Sequence, residues 1–408
     1  MVYDVIVIGG GPAGLMTCGV LNEKDINYLL LEKNELLGKK LLITGGSRCN
    51  ITNNLTVDDF ISSLTMKHKR FLYASLSEYG PKNIIEFFKK NGLNLVLEND
   101  FKYFPETNKS SSVLEVLKRN VDLSKVRYNT HVKSIKKDGY IFIIKTENEV
   151  YKTKKVVVST GSSSYPITGS TGDGIGFAKK LGIDYKVFTP AETHVYSTYV
   201  TDYLADLQGV SIINAKVKIL GTKIENSGGL IFTHFGLSGP AILHSAESIY
   251  EELLSKDVKI SFNITDNTHE EIIKLIENGK RENIYILKIL ERLTTKRFSK
   301  KILELSKVEN KNINEISKKD INVITELLTN FTIQIDKVQS KEKAFVNAGG
   351  IITKELNPKT MESKKIPGLY FIGETVDVHG PIGGFNITIA LSTGYKCGKS
   401  IIENVVLK

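Results

Sequence analysis

Residues 5–8 form an unbroken apolar run, Val-Ile-Val-Ile, closed by three glycines, the pattern of a strand buried on both faces that ends in a tight turn. From Pro12 to about residue 23 the apolar positions take helical spacing, and a second apolar run at 28–31 predicts another buried strand, ended by Glu32. Helical spacing returns at PKNIIEFFKK, with proline at the first helical position and Ile84, Ile85, Phe87 and Phe88 on one face. It returns again at VLEVLKRN, ahead of which Ser112 and Glu115 are spaced as a capping box. Residues 126–135, 140–146 and 149–152 read as short strands, the last two joined by a polar turn at 147–148, and 155–160 reads as a buried strand running into Gly161.

The pattern changes near Pro190. Short strands broken by Gly and Asn continue to about residue 263, and strongly helical segments follow, IIKLIENG, NIYILKILERL and INVITELL. Strand patterns resume at FTIQIDKV, AFVNAGGI and GLYFIGE. The simplest architecture is α/β, a parallel sheet interrupted by an insert and completed by the C-terminal segment. Residues 1–189 with 344–408 form the main domain, 190–266 with 331–343 an inserted β domain, and 267–330 a small helical subdomain. There is no internal repeat and no low-complexity stretch.

At 408 residues and 41% hydrophobic, the chain is long enough for two or three packed units. No apolar run approaches the ~18 residues of a membrane span, and the first strand follows Met1 without a basic leader, so neither a span nor a signal peptide is expected. Cys18, Cys49 and Cys397 contain no C-x-x-C, which argues against a disulfide framework and against a structural metal; a reducing cytoplasm is the expected compartment. Net charge is +10, but the lysines are spread in pairs such as 39–40, 136–137 and 154–155 among acids. That spread reads as a solvated surface more readily than as a nucleic-acid stripe.

The chemistry concentrates at two glycine clusters. Gly9, Gly11 and Gly14 have the G-x-G-x-x-G spacing directly after a strand, with Glu32 ending the next strand about 20 residues on. In such a unit the glycines provide the turn, the approach to a pyrophosphate and close helix packing, and the acid takes the ribose hydroxyls. The second cluster, GLYFIGETVDVHGPIGGFNITIALSTG, places Gly383 and Gly384 at the head of a predicted helix. It reads as an anion cradle or as a helix entry needing glycine only for packing. If the ligand is FAD, N–H groups near Phe385 and Asn386 face the N1/C2=O edge of the flavin.

Four stretches, LEKNELLGKKLLITGGSRCNITNN, STGSSSYPITGSTGDGIGFAKKLG, GLIFTHFGLSGPAIL and AGGIITKELNPKTMESKKIPGLYFIGE, together resemble the BaiN-like NAD(P)/FAD-dependent oxidoreductases, also described as aminoacetone-oxidase-family FAD-binding enzymes, of the glutathione-reductase type. The resemblance spans essentially the whole chain. It implies a discontinuous Rossmann-like FAD-binding domain with an inserted β-barrel-like domain and a helical subdomain. It places the pyrophosphate on Gly9, Gly11, Pro12, Ala13 and Gly14, and the adenosine ribose on Glu32 beside Lys33. Lys40 and the loop containing Gly45, Gly46, Arg48, Cys49 and Asn50 would line the flavin side. His131 and Val132 would meet the adenine through backbone groups, or form a plain edge strand. Thr160, Gly161, Gly373 and Glu374 would contact the FAD, and Gly384, Phe385 and Asn386 its flavin edge.

Candidate catalytic groups follow by chemistry and proximity to these motifs: Tyr165, His234, His379 and Arg48. Arg48 reads as a fixed cation for reduced-flavin or substrate charge, or as a surface ion pair. Each lone histidine reads equally as a residue satisfied by local backbone bonds. Cys49 beside Arg48 is either a thiol with lowered pKa or, as its lack of a partner cysteine favours, a buried inert one. There is no second G-x-G-x-x-G, so NAD(P)H is expected only as a transient reductant at the flavin face, or another donor serves. The implied function is an FAD-dependent oxidoreductase reducing a polarised C=C or C=N bond of a hydrophobic small molecule held between the main domain and the insert. The alternative is an RNA-associated flavoprotein related to tRNA-modifying FAD enzymes.

Overall fold

A computed structural model describes residues 1–24, 26–99 and 101–406. The chain divides into two compact units, Met1–Thr189 with Phe345–Lys408, and Pro190–Ala344. The second crossing of the chain therefore falls one residue later than the expected 343/344 boundary.

The first unit is built on the predicted apolar runs. Strand β1 (Val2–Ile8) pairs in parallel with β2 (Tyr28–Leu31) on one side and with Val150–Val158 on the other. Val5, Ile6 and Val7 are wholly buried, as a strand covered on both faces requires. Val126–Arg127 extends the sheet beyond β2, and Leu369–Phe371 lies parallel to Val150–Val158, which brings the C-terminal segment back into the same sheet. Ser134–Asp138 and Ile141–Lys145 complete an antiparallel meander with Val150–Val158.

Three local expectations change. Residues 126–135 are not one strand, because Asn129 takes φ +50° and the N–H groups of Asn129 and Thr130 turn to the carbonyls of Asn34 and Glu32. Residues 149–152 and 155–160 are not separate strands but parts of one, ending at Val158. The helix Ser110–Arg119 starts ahead of Ser112, so Ser112 and Glu115 form no capping box; Glu115 instead pairs with Lys118 at 2.8 Å.

Helix α1 (Pro12–Asn22) and the helix Phe385–Val406 pack through small residues. A Cβ on Gly394 would lie 2.4 Å from the Ala13 carbonyl oxygen, and Thr17 Oγ1 donates to the carbonyls of both Ala13 and Gly394. This contact sets the C-terminal helix against the first turn of α1, and a Cβ on Gly373 would lie 3.0 Å from Ala13 Cβ. The two glycine clusters thus belong to one locality.

In the second unit a seven-stranded antiparallel sheet runs in the order Phe331–Ile335, Val258–Phe262, Ser211–Ile219, Glu225–Phe232, Gly236–Ser238, Val195–Tyr196, Lys337–Val338. Its first and last strands are separated only by Asp336, so the sheet returns on itself like a barrel. The helices His269–Glu282, Ile286–Leu293, Lys296–Ser306 and Lys318–Thr329 bury Ile272, Leu290, Phe298 and Ile324 in the same core as Phe232, Phe262 and Phe331. Thr268, Thr295 and Ser317 cap three of them through side-chain oxygens. Among the described residues no helix is long and apolar enough to cross a membrane.

Candidate functional site

The turn from β1 into α1 is constrained at Gly9. Its φ is +104°, and a Cβ there would sit 2.6 Å from the Ser159 carbonyl oxygen and 3.2 Å from Thr160 Cα. Only glycine allows the chain to turn so close to the neighbouring strand end. Gly14 is needed for packing, since a Cβ would fall 2.1 Å from the Gly9 carbonyl oxygen. Gly11 differs, because a Cβ there meets nothing within 4 Å. Open space therefore lies before the start of α1, where Pro12 holds the first helical position and first-turn N–H groups lack intrahelical acceptors. Those groups and the helix dipole favour an anion such as a pyrophosphate.

Glu32 is buried at the end of β2 and fixed by three donors. Its Oε2 accepts from the Gly10 N–H at 2.7 Å, and its Oε1 accepts from the Asn34 N–H at 2.8 Å and Asn34 Nδ2 at 2.7 Å. The carboxylate stands against the glycine turn, where the hydroxyls of a ribose next to the pyrophosphate would arrive. Lys33 beside it is engaged elsewhere, with Asp173 at 2.8 Å and Thr171 Oγ1 at 2.6 Å. His131 lies 3.6 Å from the same Asp173 carboxylate, while Val132 is in the core.

At the end of Val150–Val158 the Gly161 N–H donates to Thr375 Oγ1 at 3.1 Å, joining this strand end to the C-terminal turn. Gly373 in that turn donates its N–H to Thr393 Oγ1 at 3.0 Å. Thr160 Oγ1 is buried without a hydrogen-bond partner among the described residues. A buried hydroxyl in that state points to a ligand atom that completes it.

Lys40 and Glu374 form the polar centre. Lys40 Nζ lies 2.8 Å from Glu374 Oε2, 3.2 Å from Ser162 Oγ and 2.5 Å from Ser164 Oγ, and Ser162 Oγ also donates to Glu374 Oε2 at 3.1 Å. Burial opposes the ionised form of Glu374. The Lys40 charge and the hydrogen bonds from Lys40 and Ser162 together outweigh it, holding this carboxyl below its ordinary range. Tyr165, one residue beyond Ser164, takes φ +54°, an outlying conformation for a bulky side chain. Burial raises its phenol pKa.

The loop after Lys40 has left-handed backbone at Gly45 and Gly46 and also at Ser47 (+66°) and Cys49 (+65°). Arg48 is not a free cation. It bonds Asn108 Oδ1 through Nε (2.9 Å) and Nη2 (2.6 Å), pairs with Glu98, and stacks 4.3 Å from the Phe104 ring centre. Cys49 is wholly buried, and burial pushes its thiol up to about 12. With its amide assigned to the orientation that satisfies both ends, Asn50 Oδ1 accepts from the Gly384 N–H at 3.1 Å and Nδ2 donates to the carbonyls of Thr52 and Tyr103. Gly384 has φ +83°, and a Cβ would lie 2.5–2.7 Å from Thr52 backbone atoms, so close packing by itself demands glycine here. Phe385 opens the helix, and Asn386 closes on Gly380 with Oδ1 accepting at 2.9 Å and Nδ2 donating at 2.8 Å. His379 is buried in the preceding loop. His234 belongs to the second unit, exposed and edge-on to Phe235.

The structure thus joins Gly9, Gly11, Gly14, Glu32, Lys40, Thr160, Gly161, Gly373 and Glu374 in one locality and takes Lys33 and Arg48 into ion pairs of their own. Ser162, Ser164, Thr375 and Thr393 were not singled out from the sequence. The only signal for them is the S-S-S run beside Tyr165 and the threonines flanking glycines.

An open anion site at a helix start, a fixed ribose-level carboxylate and an unsatisfied hydroxyl beside them fit a dinucleotide, and the fold around them is that of a Rossmann-type flavoprotein. The class is an FAD-dependent oxidoreductase with FAD as its cofactor. Within it, the chain belongs to the HI0933-like protein Rossmann domain family, whose pattern matches residues 3–400. It is 28% identical over 405 residues to the ribosomal RNA dihydrouridine synthase of Haemophilus influenzae, covering 97% of this chain and 98% of that one. It is 27% identical over 411 residues to the 3-dehydro-bile acid delta(4,6)-reductase of Clostridium scindens, again covering 97% and 98%. Its fold is shared with 3-ketosteroid-delta4-(5alpha)-dehydrogenase from Rhodococcus jostii RHA1, with a TM-score of 0.52 at 12% identity over 98% of this chain and 96% of that one.

Proposed function

We propose that this protein reduces a C=C bond conjugated to a carbonyl, and that the bond lies in a uracil ring of RNA. The observation that carries the reduction is the make-up of the site. Its thiol is buried and held protonated, and its cation is paired, so among the described residues the groups around the dinucleotide cradle are hydroxyls and backbone N–H donors, with no thiolate. That donor set suits hydride transfer with protonation, not covalent thiol exchange. FAD supplies the hydride when bound. NAD(P)H fits as a transient reductant, because the chain has one G-x-G-x-x-G.

The chain's own task is to hold the acceptor carbonyl and deliver a proton to the carbon next to it. Tyr165 suits the second role, since it directly follows Ser164 at the Lys40–Glu374 pair and its phenol carries a proton at neutral pH. Both curated relatives are named for chemistry of this kind. Dihydrouridine is uridine with its ring C=C bond saturated, and a delta(4,6)-reductase acts on C=C bonds. RNA is favoured by where the charge lies: the first unit holds 34 Lys and Arg against 24 Asp and Glu, and Pro190–Ala344 holds 21 of each, so the whole +10 sits on the FAD-binding unit. A hydrophobic small-molecule enone is the second reading, supported by the bile-acid reductase.

The experiment incubates holoenzyme with NAD(P)H and either ribosomal RNA from a strain lacking the gene or a panel of enones. Nucleoside mass spectrometry and product analysis then look for addition of two hydrogens. Reduction of uridine in RNA supports the proposal; reduction of enones alone transfers it to the second reading, and reduction of neither overturns both.

A further inference from the structure

Resting on the RNA reading, we infer that Lys67, Arg70 and Lys102 form a rim on the FAD-binding unit that grips the phosphodiester backbone of the RNA. Four consecutive basic residues, Lys67, His68, Lys69 and Arg70, share two tasks. Lys69 Nζ donates to the carbonyls of Ser62 (2.9 Å) and Leu64 (2.8 Å), and the His68 Nε2–H donates to the Asp377 carbonyl, with Asp377 Oδ2 at 3.7 Å. Asp377 is fixed in turn, its Oδ1 accepting from the Gly349 N–H at 3.0 Å. His68 pins the segment to the start of the loop leading to the glycine pair at 383–384, and Lys69 ties it back onto the chain at 62–64. That leaves Lys67 and Arg70 exposed, with no acidic partner among the described residues.

At the other end of that loop stands Lys102. Its Cε lies 3.6 Å from the point where a Cβ on Gly383 would be, and it too has no acidic partner among the described residues. Lys102 opens the strand Lys102–Pro105, which pairs with Thr52–Asn53 just after Asn50. Cations without an acidic partner among the described residues therefore flank both ends of the loop that enters the helix Phe385–Val406, on the unit that carries the entire net charge. Side chains pinned by carbonyl and carboxylate contacts keep their neighbours in place without neutralising them. A neutral enone makes no use of such a rim, whereas a polyanion gains affinity by releasing counterions at each contact.

The test measures binding of holoenzyme to a ribosomal RNA fragment by filter retention across a salt series. It compares wild type, a K67Q/R70Q/K102Q variant, and a control, K223Q/K296Q/K300Q, which removes the same charge from exposed positions of the second unit. FAD absorbance and the thermal midpoint of each variant check that fold and cofactor are retained. Three lost phosphate contacts at about 0.7 each should lower the slope of log affinity against log salt by about 2 in the rim variant, with the control close to wild type. A rim variant indistinguishable from wild type, or a control that loses as much, overturns the rim and leaves the RNA reading standing. Wild-type holoenzyme without salt-dependent RNA binding overturns the RNA reading itself.

Discussion

Lys40 Nζ and Glu374 Oε2 are separated by 334 positions in the sequence and meet at 2.8 Å. The pair ties the segment after β2 to the C-terminal turn, so the two halves of a discontinuous unit are joined by charge as well as by the sheet. A depressed carboxyl pKa contributes stability that is present above the unfolded value and lost as pH falls through the folded one. Glu374→Gln should therefore lower stability at pH 7 by about 1–3 kcal/mol, between the figures for exposed and buried pairs. The gap should begin to narrow as pH falls below the ordinary glutamate pKa of about 4.3 and close only below the depressed folded-state value, where the wild-type carboxyl is also neutral. Denaturant titrations of both proteins across pH 3–7 check this, and a gap independent of pH would remove the ion pair from the account.

Glu32 makes a different expectation, because its carboxylate serves the protein and the ligand at once. Glu32→Ala removes the acceptor of the Gly10 N–H as well as the ribose contact. FAD affinity should fall by about 1–3 kcal/mol, roughly 5- to 150-fold. Glu32→Gln, which keeps one acceptor oxygen, should fall in between. Flavin release on dilution, followed by fluorescence, gives the ranking, and equal retention in all three proteins would mean the ribose lies elsewhere.

Why these residues were legible in the sequence and others were not follows from the range of the forces involved. Gly9, Gly14 and Glu32 answer to constraints set within one strand-turn-helix-strand unit, and such constraints leave a fixed spacing. The insert was legible as a change in hydrophobic period near Pro190, since a barrel-like sheet and amphipathic helices write different periods. The fate of Arg48 was not legible, because Glu98, Asn108 and Phe104 reach it only through tertiary packing. Lys33 is the same case, drawn to Asp173 from 140 positions away. The capping box at Ser112 misled because its spacing was right while tertiary contacts moved the helix start: the Ser110 N–H donates to the Ser47 carbonyl, and Ser110 Oγ donates to the Leu42 carbonyl.

Cys49 should behave as a small core residue. With burial pushing its thiol up to about 12, the group stays a thiol at pH 8 and offers no thiolate for alkylation. Iodoacetamide should leave Cys49 unmodified in native holoenzyme and modify it after unfolding in urea. Cys49→Ala should keep activity at a stability cost of about 1 kcal/mol. Rapid labelling of the native protein at this position would reverse the assignment.

Gly384 carries two separable demands, a left-handed backbone and contact with the Thr52 backbone. Gly384→Ala violates both, so it should destabilise by more than about 2 kcal/mol. The expected loss of FAD then accompanies a lowered unfolding midpoint. A stable Gly384→Ala protein with weak FAD binding would instead assign this glycine to the flavin edge alone.

Thr160 offers the cleanest separation of folding from cofactor binding. Its Oγ1 is buried without a partner among the described residues, and its Cα lies 3.2 Å from the place of a Gly9 Cβ, beside the open anion site. Thr160→Val keeps the shape and removes only the hydroxyl. In the FAD-free protein no hydrogen bond is lost, and relief of an unsatisfied buried polar atom should leave stability unchanged or slightly raised. In the loaded protein the same change should weaken FAD by about 1 kcal/mol, near fivefold, if the hydroxyl completes its bonding on the cofactor. Urea unfolding of the stripped protein and flavin titration of the refilled one give the two numbers independently. Destabilisation of the stripped protein with unaltered FAD affinity would place the partner of Thr160 within the protein and not on the ligand.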